Sequence, residues 1–139
     1  MNKIELIKAE KDGLKIKNDI QRFAEQGWES ISEEDIQRLK WYGLFLRNPT
    51  PGYFMLRVRI PNGFSTSHQV RMLSCLAETY GNGVIDITTR QQVQLRHLKI
   101  ENIPQVFNLL QEVGLTTSQT GMDNVRNIVG CPVAGLNPK

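Results

Sequence analysis

The sequence is short of the features that mark secreted, membrane-spanning and metal-binding chains. Its 139 residues include two cysteines, Cys75 and Cys131. Two are too few for a disulfide framework, and these two form no C-x-x-C pair, so a reduced, cytoplasmic setting is expected. No uninterrupted apolar run comes near the roughly 18 residues of a membrane-spanning helix, and no membrane insertion is expected. The opening MNKIELIKAEK mixes acids and bases without an apolar stretch, which argues against a secretory signal. G-x-G-x-x-G, P-loop, G-x-S-x-G and H-E-x-x-H patterns are all missing, so the commonest nucleotide-binding, hydrolase and zinc-protease chemistries have no support. The two histidines suggest a helix-surface position (His68) and a structural one in phase with Leu95 (His97). Cys75, between Leu73 and Leu76, is expected to be a small core residue. Trp28 and Trp41 are expected to pack the N-terminal helices.

What is present is a globular composition with an uneven charge. Apolar residues make up 40% and charged residues 22% of the chain, which suits a single folded domain. The net charge of +3 is not spread evenly. Residues 1–52 balance nine bases with nine acids, and residues 101–139 are slightly acidic. Residues 53–100 carry six bases against two acids, and five of the six are arginine: Arg57, Arg59, Arg71, Arg90 and Arg96. A guanidinium fork matches carboxylates and other oxyanions bidentately, so this bias points to anion recognition rather than solubility alone.

The hydrophobic periodicity predicts an α+β chain. Helices are expected from Asn18 to Gln26 and, behind a capping-box-like Ser32–Asp35 pair, up to Gly43. Asn48-Pro49-Thr50-Pro51-Gly52 then breaks the chain and separates a helical N-terminal arm, residues 1–52, from the remainder. Residues 53–60 alternate as a strand, with Phe54, Leu56, Val58 and Ile60 on one side and Met55, Arg57 and Arg59 on the other. A helix capped by Ser65 or Ser67 should reach Tyr80, with Val70, Leu73, Leu76 and Ala77 inward. Two strands, 84–88 and 93–100, flank the turn Thr89–Gln92. Asn102 should cap a last helix, with Pro104 in its first turn. Strand, helix, strand, strand, helix is the split βαβ, or ferredoxin-like, order without its final strand. A half-domain of this kind is expected over residues 53–115, with an antiparallel sheet and its helices on one face. Residues 116–139 are rich in glycine and small polar residues and show no period. A loop of that length implies function or a missing partner, and a chain that stops at Asn137-Pro138-Lys139 is expected to continue in something longer.

Combining the strand phases gives the main chemical expectation. If the apolar residues face the helices, Arg57, Arg59, Gln92, Gln94 and Arg96 share the opposite face, beside Arg90 in the turn. Parallel arginines repel one another, so such a face costs stability unless an anion compensates. The implied ligand is polyanionic, extended and flat. RNA-recognition domains also use the open face of a ferredoxin-like sheet, but they stack bases on aromatics. The K/R-G-F/Y-G/A-F-V-x-F/Y pattern is absent here, so no nucleic-acid partner is expected.

Three segments carry a family resemblance: Met55-Leu-Arg-Val-Arg-Ile-Pro-Asn-Gly63, Thr88-Thr-Arg-Gln-Gln-Val-Gln94 and Gly121-Met-Asp-Asn-Val-Arg-Asn127. In this order they closely resemble the N-terminal part of the ferredoxin-dependent nitrite and sulfite reductases. The third segment is similar to the nitrite reductases of cyanobacterial type more than to sulfite reductases. The resemblance implies a sirohaem, a macrocycle with eight carboxylates, bridged to a 4Fe–4S cluster. It implies Arg57 and Arg126 near the bound substrate anion. Arg59, Thr88, Thr89, Arg90, Gln94 and Arg96 would hold cofactor carboxylates, with Asn124 and Asn127 shaping the loop around Arg126. The family's cluster ligands, a C-x5-C and a C-x3-C pair, are absent, so no metal ligand is expected in this chain. The resemblance further implies nitrite as substrate, reduced ferredoxin as partner, and additional C-terminal domains of the same polypeptide. By itself the chain is expected to be inactive. Two alternatives are a sulfite reductase of the same family and a stand-alone ferredoxin-like interaction module.

Overall fold

The alternating segment from Tyr53 onward forms an inner strand of the sheet. In the computed structural model, which describes residues 2–136, three helices come first: α1 (Lys3–Glu10), α2 (Lys17–Gln26) and α3 (Glu33–Leu39). Strand β1 (Leu44–Leu46) and strand β2 (Tyr53–Val58) follow, then helix α4 (Ser67–Tyr80), strands β3 (Ile85–Ile87) and β4 (Val93–Lys99), and helix α5 (Ile103–Glu112). Residues 137–139, expected as the loop's end, lie outside the described residues. The sheet order is β1-β2-β4-β3 with every pair antiparallel. From β2 onward this is the ferredoxin-like order. The edge left for a final strand is filled in two ways. β1 pairs with the first half of β2, and beyond it the backbone of Arg59 makes a single antiparallel bridge to Thr116.

One core holds these elements together. Ile16, Ile20, Phe23, Ile31 and Leu39 of the N-terminal segment join Phe54, Leu56, Leu73, Leu95 and Leu110 in one buried cluster. The helical segment therefore packs on the sheet and adds β1 to it. Each such large side chain contributes about 1.5–3 kcal/mol on burial, far more than helix propensity supplies. Among the described residues no helix is long and apolar enough to cross a membrane.

Several local expectations change for identifiable reasons. A 3-10 turn, Gly13–Ile16, runs into α2, so Asn18 is already inside the helix and caps nothing. Ser32 does cap α3, its Oγ accepting the Asp35 N–H at 3.2 Å. Helix α4 is capped by Thr66 in a full capping box with Gln69, rather than by Ser65 or Ser67. Asn102 precedes α5 but makes no side-chain cap bond. Cys75 is exposed: two residues from Leu73 along a helix is about 200° around it, so the neighbour in sequence points away from the core. Val70 lies in the first turn of α4 and is also largely exposed. A β-bulge shifts the register so that Leu56 faces Leu95 while Phe54 faces Leu98. His97 takes up the extra residue with φ +60°; it is therefore exposed, out of phase with Leu95.

Candidate functional site

The register settles which side chains stand together. Arg57 lies opposite Gln94, and Gln94 opposite Asp86, so all three project from the face away from the helices. The next outward residue on β2's side is Arg59. Thr88–Gln92 form the tight β3–β4 turn, in which Thr88 N–H donates to the Gln92 carbonyl at 2.9 Å and the Thr88 hydroxyl accepts Gln92 N–H at 3.2 Å. This leaves Thr89 and Arg90 exposed at the tip.

The segment after α5 has no period because its hydrogen bonds go elsewhere in the protein. Asn62 N–H donates to the Ile128 carbonyl at 2.8 Å. Gln91 Nε2 donates to the Gly130 carbonyl (3.0 Å) and Gln92 Nε2 to that of Arg126 (3.3 Å). Asn127 Nδ2 donates to the carbonyls of Ile60 and Arg90, both at 3.0 Å. These amides staple residues 126–130 along the hairpin turn and bring Arg126 beside Arg90 and Arg57. Sequence reasoning did not anticipate Gln91 and Gln92 in this role; the Gln-Gln pair within the second motif is the only trace of it. Asn124 Nδ2 donates to the Gly121 carbonyl and so closes the 121–124 turn.

The arginines differ in how they are satisfied. Arg96 donates through Nε to the Asp86 carboxylate, an ion pair, and through Nη2 to Gln94 Oε1 at 3.3 Å. Among the described residues it alone of the sequence-predicted arginines has a carboxylate partner. Arg59 donates to the carbonyls of Gln119 (2.9 Å) and Val125 (3.1 Å), while its buried Nε has no partner. Arg57 Nη1 donates to the Thr120 carbonyl at 2.8 Å, and its guanidinium lies 4.7 Å from the centre of the Phe45 ring. Among the described residues no carboxylate pairs with Arg57, Arg59, Arg90 or Arg126. Burial, and then the charges of Arg126 and Arg90, push the Arg57 pKa below its ordinary value. An arginine held against burial and two like charges is a standing demand for an anion.

The polar atoms left over match that demand in part. Arg59 Nε is a buried donor without an acceptor, as a carboxylate site requires. Asn124 and Asn127 leave Oδ1 buried without a partner, which is an acceptor and does not complement a carboxylate; their amides hold the loop. Among the described residues no group of three or more His, Cys, Asp or Glu could hold a metal ion.

Both the sequence and the fold have known relatives. Residues 47–113 match the family described as Nitrite/Sulfite reductase ferredoxin-like half domain. The chain is 51% identical to ferredoxin–nitrite reductase of Leptolyngbya laminosa over 139 residues, covering 99% of this chain and 27% of that protein. It is 52% identical to ferredoxin–nitrite reductase of Synechococcus elongatus, with the same coverage. The solved structure of Mycobacterium tuberculosis NirA superposes with a TM-score of 0.88 at 30% identity, over 96% of this chain and 28% of that one. The chain thus spans about a quarter of the length of the relatives it matches.

Proposed function

We propose, for a chain whose residues 47–113 match the family described as Nitrite/Sulfite reductase ferredoxin-like half domain, that it supplies the cationic wall of an assimilatory nitrite reductase. In this reading the complete polypeptide reduces nitrite to ammonia with electrons from reduced ferredoxin. Arg57 and Arg126 attract and orient the substrate anion. Arg90, Arg59 and Arg96 face the carboxylates of a sirohaem, with Thr88, Thr89 and Gln94 as neutral donors beside them. Asn124 and Asn127 keep the Arg126 loop in shape. The observation that carries the proposal is the convergence of Arg57, Arg90 and Arg126, which among the described residues have no carboxylate partner.

When bound, sirohaem with its 4Fe–4S partner supplies the six-electron redox chemistry. The work of this chain's residues is electrostatic. Negative charge that grows on the substrate is met by fixed cations that need no reorganisation. Arginine suits this because it stays protonated even when burial and neighbouring cations lower its pKa. The shell of backbone carbonyls around Arg57 and Arg59 orients the guanidiniums without cancelling their charge. Among the described residues no group of three or more His, Cys, Asp or Glu could hold a metal ion, and in this reading the cluster ligands lie in the other parts of the complete polypeptide.

Nitrite is favoured over sulfite by the names of the relatives, which are ferredoxin–nitrite reductases at 51% and 52% identity. Titration of the chain with sirohaem tests the site. Binding should weaken steeply with salt, and Arg90→Ala should weaken it by about tenfold, as expected for losing a charged hydrogen bond. Equal affinity in the wild type and in Arg57→Ala, Arg90→Ala and Arg126→Ala would overturn the proposal.

A further inference from the structure

We propose that Phe45 is a positioning residue for this anion site: its ring face holds the Arg57 guanidinium where a carboxylate would otherwise do so, fixing the cation without neutralising it. The inference rests on the anion-site reading above and extends it to a residue outside the motifs that carry the family resemblance.

Three observations converge on Phe45. It pairs with Met55 across the β1–β2 ladder, so it stands on the outer face, diagonal to Arg57, within reach of a long side chain. The guanidinium carbon sits 4.7 Å from the ring centre, inside the range of a cation–π contact. The site loop also presses on the same ring: a Cβ at Gly121 would lie 2.6 Å from Phe45 Cζ and 2.6 Å from the Lys40 carbonyl oxygen. Only a residue without a side chain lets the loop seat there, next to Thr120, whose carbonyl accepts a hydrogen bond from Arg57 Nη1.

Arg96 provides the contrast on the same face. It is held by Asp86 and so contributes little net charge to the surface. A carboxylate at Arg57 would do the same, and an incoming anion would have to displace it. An aromatic quadrupole attracts the cation but carries no net charge. The positive charge of Arg57, Arg90 and Arg126 therefore remains available to a ligand. A phenylalanine serving only as core would be expected on the helix-facing side, where its neighbours Leu44 and Leu46 in the strand point.

The test uses the 139-residue chain and uroporphyrin, a metal-free porphyrin with eight carboxylates, followed by fluorescence. Phe45→Leu keeps apolar bulk but removes the ring and should weaken binding by about three- to tenfold, and Phe45→Tyr should restore it. Pentafluorophenylalanine at position 45 keeps the ring's shape while inverting its quadrupole, so packing is preserved; it should lose affinity as Phe45→Leu does. The Arg57 side-chain N–H resonance, shifted upfield by the ring in the wild type, should move downfield in Phe45→Leu. Wild-type affinity in the pentafluoro protein would overturn the role given to Phe45 while leaving the anion site intact. Failure of the wild type to bind uroporphyrin at all would overturn the anion-site reading and the inference with it.

Discussion

Replacing Gly43 by alanine separates a conformational requirement from a close approach. Gly43 has φ +75°, a region that costs an L-residue about 1–2 kcal/mol. Its Cβ would also lie 2.4 Å from the Arg57 carbonyl oxygen and 2.6 Å from Thr120 Oγ1. The Arg57 carbonyl is backbone, and Arg57 N–H is itself bonded to the Gly43 carbonyl at 2.8 Å, so it cannot swing aside. Overpacking of this kind adds about 1–3 kcal/mol. Gly83 is the control: φ is +76°, and nothing lies within 4 Å of its Cβ. Gly43→Ala should therefore cost about 2–5 kcal/mol and Gly83→Ala only about 1–2 kcal/mol. With a urea slope of about 2 kcal/mol/M, the midpoints should fall by about 1–2.5 M and 0.5–1 M respectively. Equilibrium urea unfolding followed by circular dichroism measures both. Equal losses in the two variants would refute the close approach, and with it the placement of Thr120 against β2. Because Thr120 also orients Arg57, Gly43→Ala should weaken anion binding while Gly83→Ala leaves it unchanged.

Further expectations come from the charges. Asp86→Asn releases Arg96 and should tighten uroporphyrin binding by about two- to fivefold, the scale of one half-exposed ion pair; a weaker complex would mean that Arg96 does not face the ligand. Arg126→Ala should lower the salt dependence of that binding, since one fewer fixed cation attracts the ligand, and an unchanged slope would remove Arg126 from the site. Arg38 is buried, and it pairs with Asp35 and Glu10 while donating to the Ile7 carbonyl, so it ties α1 to α3. Arg38→Met should destabilise the chain by about 2–4 kcal/mol in thermal or urea unfolding, because Asp35 is left half-buried without its partner. The Tyr42 pKa is raised by burial and by the Asp12 charge, and the hydroxyl donates to the Leu14 carbonyl at 3.0 Å. Between pH 10 and that raised value the folded chain keeps a proton the unfolded chain releases, so stability falls as pH rises; Tyr42→Phe should flatten the fall.

From residue 53 onward the strands and helices were legible because two periods dominate the sequence, whereas helix α1 and strand β1 were not anticipated. The alternation of Phe54, Leu56 and Val58 with Met55 and Arg57 identifies β2 and its faces, and the order of elements from residue 53 leaves few topologies. Caps were less legible. Thr66, Ser65 and Ser67 are all capable, and the choice depends on where Gln69 can close the box. The bulge at His97 does leave a local trace: Val93 and Leu95 alternate with Gln94 and Arg96, but the next apolar residue is Leu98, one place out of phase. The arginine cluster was half legible. Arg57, Arg59 and Arg90 follow from strand phase and turn position, whereas Arg126 sits in a segment without period and reaches them only through the amides of Gln91, Gln92 and Asn127.

What the sequence determined by itself is therefore most of the local elements from residue 53 onward, the face on which Arg57 stands, and the surplus of arginine around it. These depend on side-chain alternation and charge, which neighbours in the chain already encode. Only the tertiary structure decided which arginines remain free. Asp86 and Arg96 are ten residues apart and Phe45 precedes Arg57 by twelve, yet one pair neutralises a charge and the other preserves it. Whether a cation meets a carboxylate, a ring or a carbonyl is a matter of register and loop packing, and contacts of that kind leave no periodic trace along the chain.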